Sequence, residues 1–175
     1  MAPAKPQPPQ RPRSGAPAPA PLAAETLSAA NINPLTWLAT DYLNHFSEAV
    51  MLLELSASDP SCLKDLLAWK PKTYREHFAT SHLQSRHVAL AAYDAADPVA
   101  RDSLEKLSDM MSVVLQATCV AMRAPMSRDD AQALAGSVAN GLKPLIARAG
   151  AVINGAPAAT EAPQAAVDDL LKRPT

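Results

Sequence analysis

From Asn33 onward, apolar residues recur every three or four positions and polar residues fill the intervening side, as in amphipathic helices. Asn33 is a good N-cap and Pro34 suits the first helical position, so the spacing predicts a helix over 34–56. Its apolar arc is Leu35, Leu38, Ala39, Tyr42, Phe46, Ala49, Val50 and Leu53. Asp59-Pro60 opens a short helix, 60–69, which Lys70-Pro71 ends. Thr73-x-x-Glu76 is a capping-box pattern for a helix over 74–95, with a break expected near Ser81, where the apolar stripe is poorly defined.

Asp97-Pro98 is a second cap-and-proline pair. Behind it, Leu104, Leu107, Met111, Val114, Thr118 and Ala121 form the best-defined seam in the chain, running to Ala124-Pro125. Ser127-x-x-Asp130 caps a last helix, 128–153, striped by Ala131, Leu134, Val138, Leu142, Leu145, Ala149 and Val152. Pro144 is expected to kink it, and Gly136 and Gly141 to weaken it. No segment alternates β-branched and polar residues. The predicted fold is all-α: an up-down bundle of about four helices plus a short extra helix.

Composition then sets the limits of that bundle. Eight of the 17 prolines fall in the first 21 residues, and three follow residue 154. Such stretches lack the large apolar groups that offset the entropy of ordering. The expected division is therefore a disordered Pro/Ala-rich arm over 1–32, with a short helical turn possible within 22–32. The bundle would span 33–154, and a flexible linker carrying a short terminal peptide 155–175. No apolar run approaches a membrane span. A formal net charge of -1 provides no strong positive field for nucleic acid. The N-terminus shows no secretory pattern, and Cys62 and Cys119 form neither a metal pair nor a redox motif. These features predict a cytoplasmic, bacterial protein with two free thiols.

Four histidines invite a test for metal. Asp41, His45 and Glu48 share one face at i, i+4 and i+7, and bundle metal sites do combine carboxylates with histidine one turn away. That face lies opposite the apolar arc, which points it at solvent. His77, His82 and His87 are spaced by five and fan out around a helix. The expectation is no metal ligand and no cofactor. Nucleophile elbows and phosphate-binding glycine loops are missing from the sequence, so it predicts no enzyme. A coat protein for hydrophobic granules is an alternative, with Met110, Met111, Met122 and Met126 facing the granule. A helical metal or haem binder is a second alternative.

The most specific pattern is terminal: Gln164-x-x-Val167-Asp168-Asp169-Leu170-Leu171. Val167, Leu170 and Leu171 line one side if the segment is helical, and the aspartates sit where the helix dipole favours them. This stretch resembles the C-terminal tail of the CheZ family of chemotaxis phosphatases, which binds a phosphorylated single-domain response regulator. It is similar also to a Gln-x-x-Ile-Asp-x-Leu-Leu peptide of the flagellar switch protein that binds the same regulator. Pro98-Val-Ala-Arg101-Asp102-Ser-Leu104 and Asp130-Ala-Gln132-Ala-Leu134-Ala-Gly136 resemble two further stretches of that family, in the same order. The family's catalytic aspartate and glutamine fall on Ala133 and Ser137, and neither side chain could position a water. The resemblance therefore implies docking on a receiver domain through Val167, Asp168, Asp169, Leu170 and Leu171, without phosphatase chemistry. The predicted function is a non-catalytic signalling adaptor whose bundle self-associates or holds a partner helix.

Overall fold

A computed structural model describes residues 23–156 of the chain. Among these residues there are seven α-helices and no strand, so the fold is all-α. The helices are α1 (Ala24–Ala29), α2 (Asn44–Ser56), α3 (Pro60–Ala68), α4 (Tyr74–Thr80), α5 (Arg86–Ala95), α6 (Pro98–Ala121) and α7 (Arg128–Ile153). A 3-10 turn, Thr40–Leu43, leads into α2. α7 packs against both α6 and α2, α2 carries α3 on another side, and α4 packs on α5 and the 3-10 turn. No described helix is long and apolar enough to cross a membrane.

The cap signals work as chemistry requires. Asp59 accepts from the Ser61 N–H, Asp97 from Ala100 and Ser127 from Asp130. Thr73 and Glu76 form the reciprocal capping box at the start of α4. The break expected near Ser81 is real: α4 stops at Thr80 and α5 begins at Arg86. α7 runs continuously through Pro144.

The expected helix 34–56 is shorter than its periodicity suggests. Asn33 does cap, its Oδ1 accepting from the N–H groups of Leu35 and Thr36, but what it caps is a single turn over 34–36, and the α-helix begins only at Asn44. Trp37 then takes a left-handed φ of 62°, and Ile32 and Ala39 form an isolated antiparallel bridge. The reversal buries Ile32, Leu38 and Ala39 together. A straight helix would have left Ile32 and α1 outside the core. The same packing moves the domain boundary. Leu27 and Ile32 are 1% and 2% exposed, so the core begins within the stretch expected to be an arm. Residues 1–22 and 157–175, which include the terminal peptide, lie outside the described residues.

Candidate functional site

The capping box fixes α4 so that its first two side chains, Tyr74 and Arg75, meet Tyr93 near the end of α5. Tyr74 is buried and stacks on Tyr93 at 4.3 Å between centroids with 13° between planes. Two guanidinium groups also approach the Tyr93 ring, Arg75 at 5.2 Å and Arg101 of α6 at 5.7 Å. The Tyr93 hydroxyl donates to Glu105 of α6, and Arg75 pairs with Asp94. Together these residues form the mouth of a cleft of about 590 Å³ whose floor includes Tyr42 and Leu104.

The cleft continues along α6. A second compartment of about 480 Å³ shares Tyr42, Thr73, Ser108 and Asp109 with the first and reaches Val113 and Gln116. At 1.5 Å per residue, Arg101 to Gln116 covers about 22 Å of helix. One wall is the polar side of α6. The other is the extended stretch 71–73 and the first turn of α4. Lys72 and Glu76 line the far compartment.

Several of the polar groups lining this groove are hydrogen-bonded within the fold. Burial pushes the phenols of Tyr42 and Tyr74 up. Burial and the adjoining Glu105 carboxylate do the same to Tyr93. All three stay protonated and serve as hydrogen-bond groups. The Tyr42 hydroxyl donates to the Lys72 carbonyl at 2.8 Å, and the Tyr74 hydroxyl accepts from the Ala39 N–H at 2.9 Å. Ser108 donates to the Leu104 carbonyl. Arg101, Glu105 and Asp109 add charge of both signs at the rim.

The metal candidates separate. Glu48 is exposed, and Asp41 lies in the 3-10 turn rather than one helical turn before His45 on a continuous α-helix. His45, expected at the solvent face, is buried. The face is covered by Trp69, whose ring stacks on the imidazole at 4.6 Å and whose Nε1 donates to the His45 carbonyl at 3.2 Å. A helical wheel of 34–56 could not show this, because the cover comes from the end of α3. Burial, with His77 and Lys72 nearby, lowers the His45 pKa to about 4, and its Nε2 has no hydrogen-bond partner. His77 lies 6.2 Å away between ring centroids, its pKa also lowered by burial. Among the described residues no three His, Cys, Asp or Glu side chains converge to hold a metal ion.

The methionines expected at a granule surface are divided. Met111 and Met122 are core residues, Met110 is half-buried, and Met126 is exposed at the turn between α6 and α7. Cys119 is buried with its thiol pushed up by burial, and Cys62 is half-buried; both are free. Ala133 and Ser137 occur on α7, one exposed and one half-buried. Val167, Asp168, Asp169, Leu170 and Leu171 lie outside the described residues.

Sequence reasoning passed over the groove. A signal existed in the polar run Arg101, Glu105, Ser108, Asp109, Ser112 and Gln116, which keeps to one side of α6. That run reads as an ordinary solvated face until Tyr74 and Tyr93 are brought beside it. No family model, curated protein or solved structure matches this chain.

Proposed function

We propose that this protein is a non-catalytic helical adaptor of the cytoplasm. An up-down packing of its longer helices forms the body, and it binds a protein partner at two places. The observation that carries the reading is the continuous groove along α6. It is about four helical turns long, with tyrosine hydroxyls, two guanidiniums, one lysine and three carboxylates along its edge. Its length and mixed polarity suit a helix or extended segment of another protein. The second contact is the terminal peptide Val167, Asp168, Asp169, Leu170 and Leu171, for which the CheZ resemblance suggests a receiver domain. Two contacts joined by a short linker would act together through effective concentration.

The test is a titration of the full chain with a purified chemotaxis-type receiver domain, with and without beryllofluoride to mimic phosphorylation. Binding that needs the activated receiver and is lost in Leu170→Asp/Leu171→Asp supports the tail contact. Loss in Arg101→Glu supports the groove contact. A chain that binds no receiver in either state refutes the receiver assignment.

One observation favours the granule-coat alternative. Val113 and Val120 are 52% and 66% exposed on one face of α6, with exposed Ala117 between them. A coat protein would partition onto polymer or lipid droplets, and Ala117→Asp/Val120→Asp, on the part of that face outside the groove, would abolish the partitioning while leaving receiver binding intact.

A further inference from the structure

The end of α7 is fixed by a Schellman motif. The Gly155 N–H donates to the Val152 carbonyl and the Ala156 N–H to the Ala151 carbonyl, with Gly155 at φ +83°. The chain therefore leaves the fold in a set direction, and it leaves beside an apolar hollow. Leu35 and Val99, 80% and 67% exposed, are the two most exposed large apolar side chains among the described residues. Both line a hollow of about 300 Å³, with Val152, Asp97 and Ala156. The Leu35 Cδ1 lies against the Gly155 backbone, 3.7 Å from where a Cβ would stand.

Leu35 is held outward by a constrained turn. Asn33 caps it, the Thr36 hydroxyl donates to the Ile153 carbonyl, and the turn closes with Trp37 in the left-handed region. A bulky residue at positive φ costs about 1 kcal/mol or more; the burial of Ile32, Leu38 and Ala39 offsets that, and the same turn leaves the Leu35 side chain facing water.

The geometry points to the chain's own segment 164–172 as the cover of this hollow, with Val167, Leu170 and Leu171 seated between Leu35 and Val99. This rests on reading that segment as a docking peptide. Ten residues separate Ala156 from Val167, which reach up to about 35 Å when extended, ample for a hollow bounded by Ala156 itself. Closing so short a loop costs little entropy and gives a high effective concentration. The segment carries both signs, Asp168 and Asp169 before Lys172 and Arg173, and its basic end is the part that complements Asp97 at the hollow. Self-docking would hold the peptide back until a partner competes for it.

Methyl NMR of the full chain tests this, comparing wild type with Leu170→Asp/Leu171→Asp. The expected result is a shift of the Leu35, Val99 and Val152 methyls, with those of Val113 and Val120 unchanged. Unchanged Leu35 and Val99 methyls overturn the inference. So does a shift produced by deleting residues 2–20 instead, which assigns the cover to the N-terminal arm. So does a shift that disappears on dilution of the wild type, which assigns it to a second copy. Leu35→Asp separates this inference from the partner reading: releasing the peptide should tighten receiver binding at least about threefold. If the methyl shifts appear but no receiver binds, the partner reading fails and self-docking stands.

Discussion

The two halves of this molecule are held together by different chemistry. In the α6–α7 hairpin the backbone is helical almost throughout, and the buried side chains are Leu104, Leu107, Met111, Ala135, Val138, Leu142 and others without aromatic rings. The other half, between residues 37 and 93, contains every aromatic residue of the chain. It is also where the backbone is least regular: the 3-10 turn, extended Ala39, the stretch 69–73 and the gap between α4 and α5. The two facts are connected. A helix satisfies its own N–H and C=O groups, so small aliphatic side chains suffice to pack it. Irregular backbone must find partners elsewhere, and a tyrosine or tryptophan supplies both apolar area and a polar tip. Tyr74 serves the Ala39 N–H, Tyr42 the Lys72 carbonyl and Trp69 the His45 carbonyl. The groove opens in this irregular half, because helices that do not pack along their length leave room beside α6.

The most severe test of this contrast is Phe46→Ala. Phe46 is fully buried and touches Tyr42, His45 and Trp69. Its loss should cost about 3–5 kcal/mol, read as a lowered urea midpoint, and should broaden the resonances of the aromatic half before those of α6 and α7.

His45 gives a pH signature to the same half. Its pKa is near 4 in the fold and about 6.5 in the unfolded chain. The unfolded state therefore binds a proton that the folded state refuses. Stability from this group is complete above about pH 6.5 and falls by up to about 3 kcal/mol toward pH 4. His77 is lowered in the same direction and adds to the slope. His45→Phe keeps a ring against Trp69 and removes the titration. Its urea midpoint should fall less than the wild type's between pH 7 and pH 4. A slope equal to wild type would refute the buried-histidine account.

Tyr74→Phe removes one hydroxyl and almost no volume. It strands the Ala39 N–H and should cost about 1–3 kcal/mol. A volume-conserving exchange in the hairpin, Met111→Leu, should cost less than about 1.5 kcal/mol. If both cost the same, the polar tips are not what secures the irregular half.

The smallest effect should be a gain. A Cβ added at Gly136 meets nothing within 4 Å, and the residue is inside α7. Gly136→Ala should raise stability by about 0.5–1 kcal/mol, measurable as a higher melting temperature.

The regular half was legible because its rules are local. The caps at Asp59, Thr73, Asp97 and Ser127 are decided by atoms within three residues of each other, and the stripe of α6 is decided by helix geometry. The departures occur where distant segments compete for the same residues. Leu35 and Leu38 fit one helical arc, yet the bridge between Ile32 and Ala39 turns Leu38 inward and Leu35 outward. His45 sits on the polar side of its helix and is buried by Trp69, 24 residues later. The groove joins α6 to α4 and α5, and no spacing within one helix encodes that meeting.

The sequence alone therefore determined the all-α class, where most helices begin and end, and the seam between α6 and α7, because short-range hydrogen bonding and periodic burial act within a few residues. Only the tertiary structure decided the reversal at Trp37, the burial of His45 and the position of the groove, because each depends on which long-range surface covers a residue, and burial belongs to the packed chain rather than to any one segment of it.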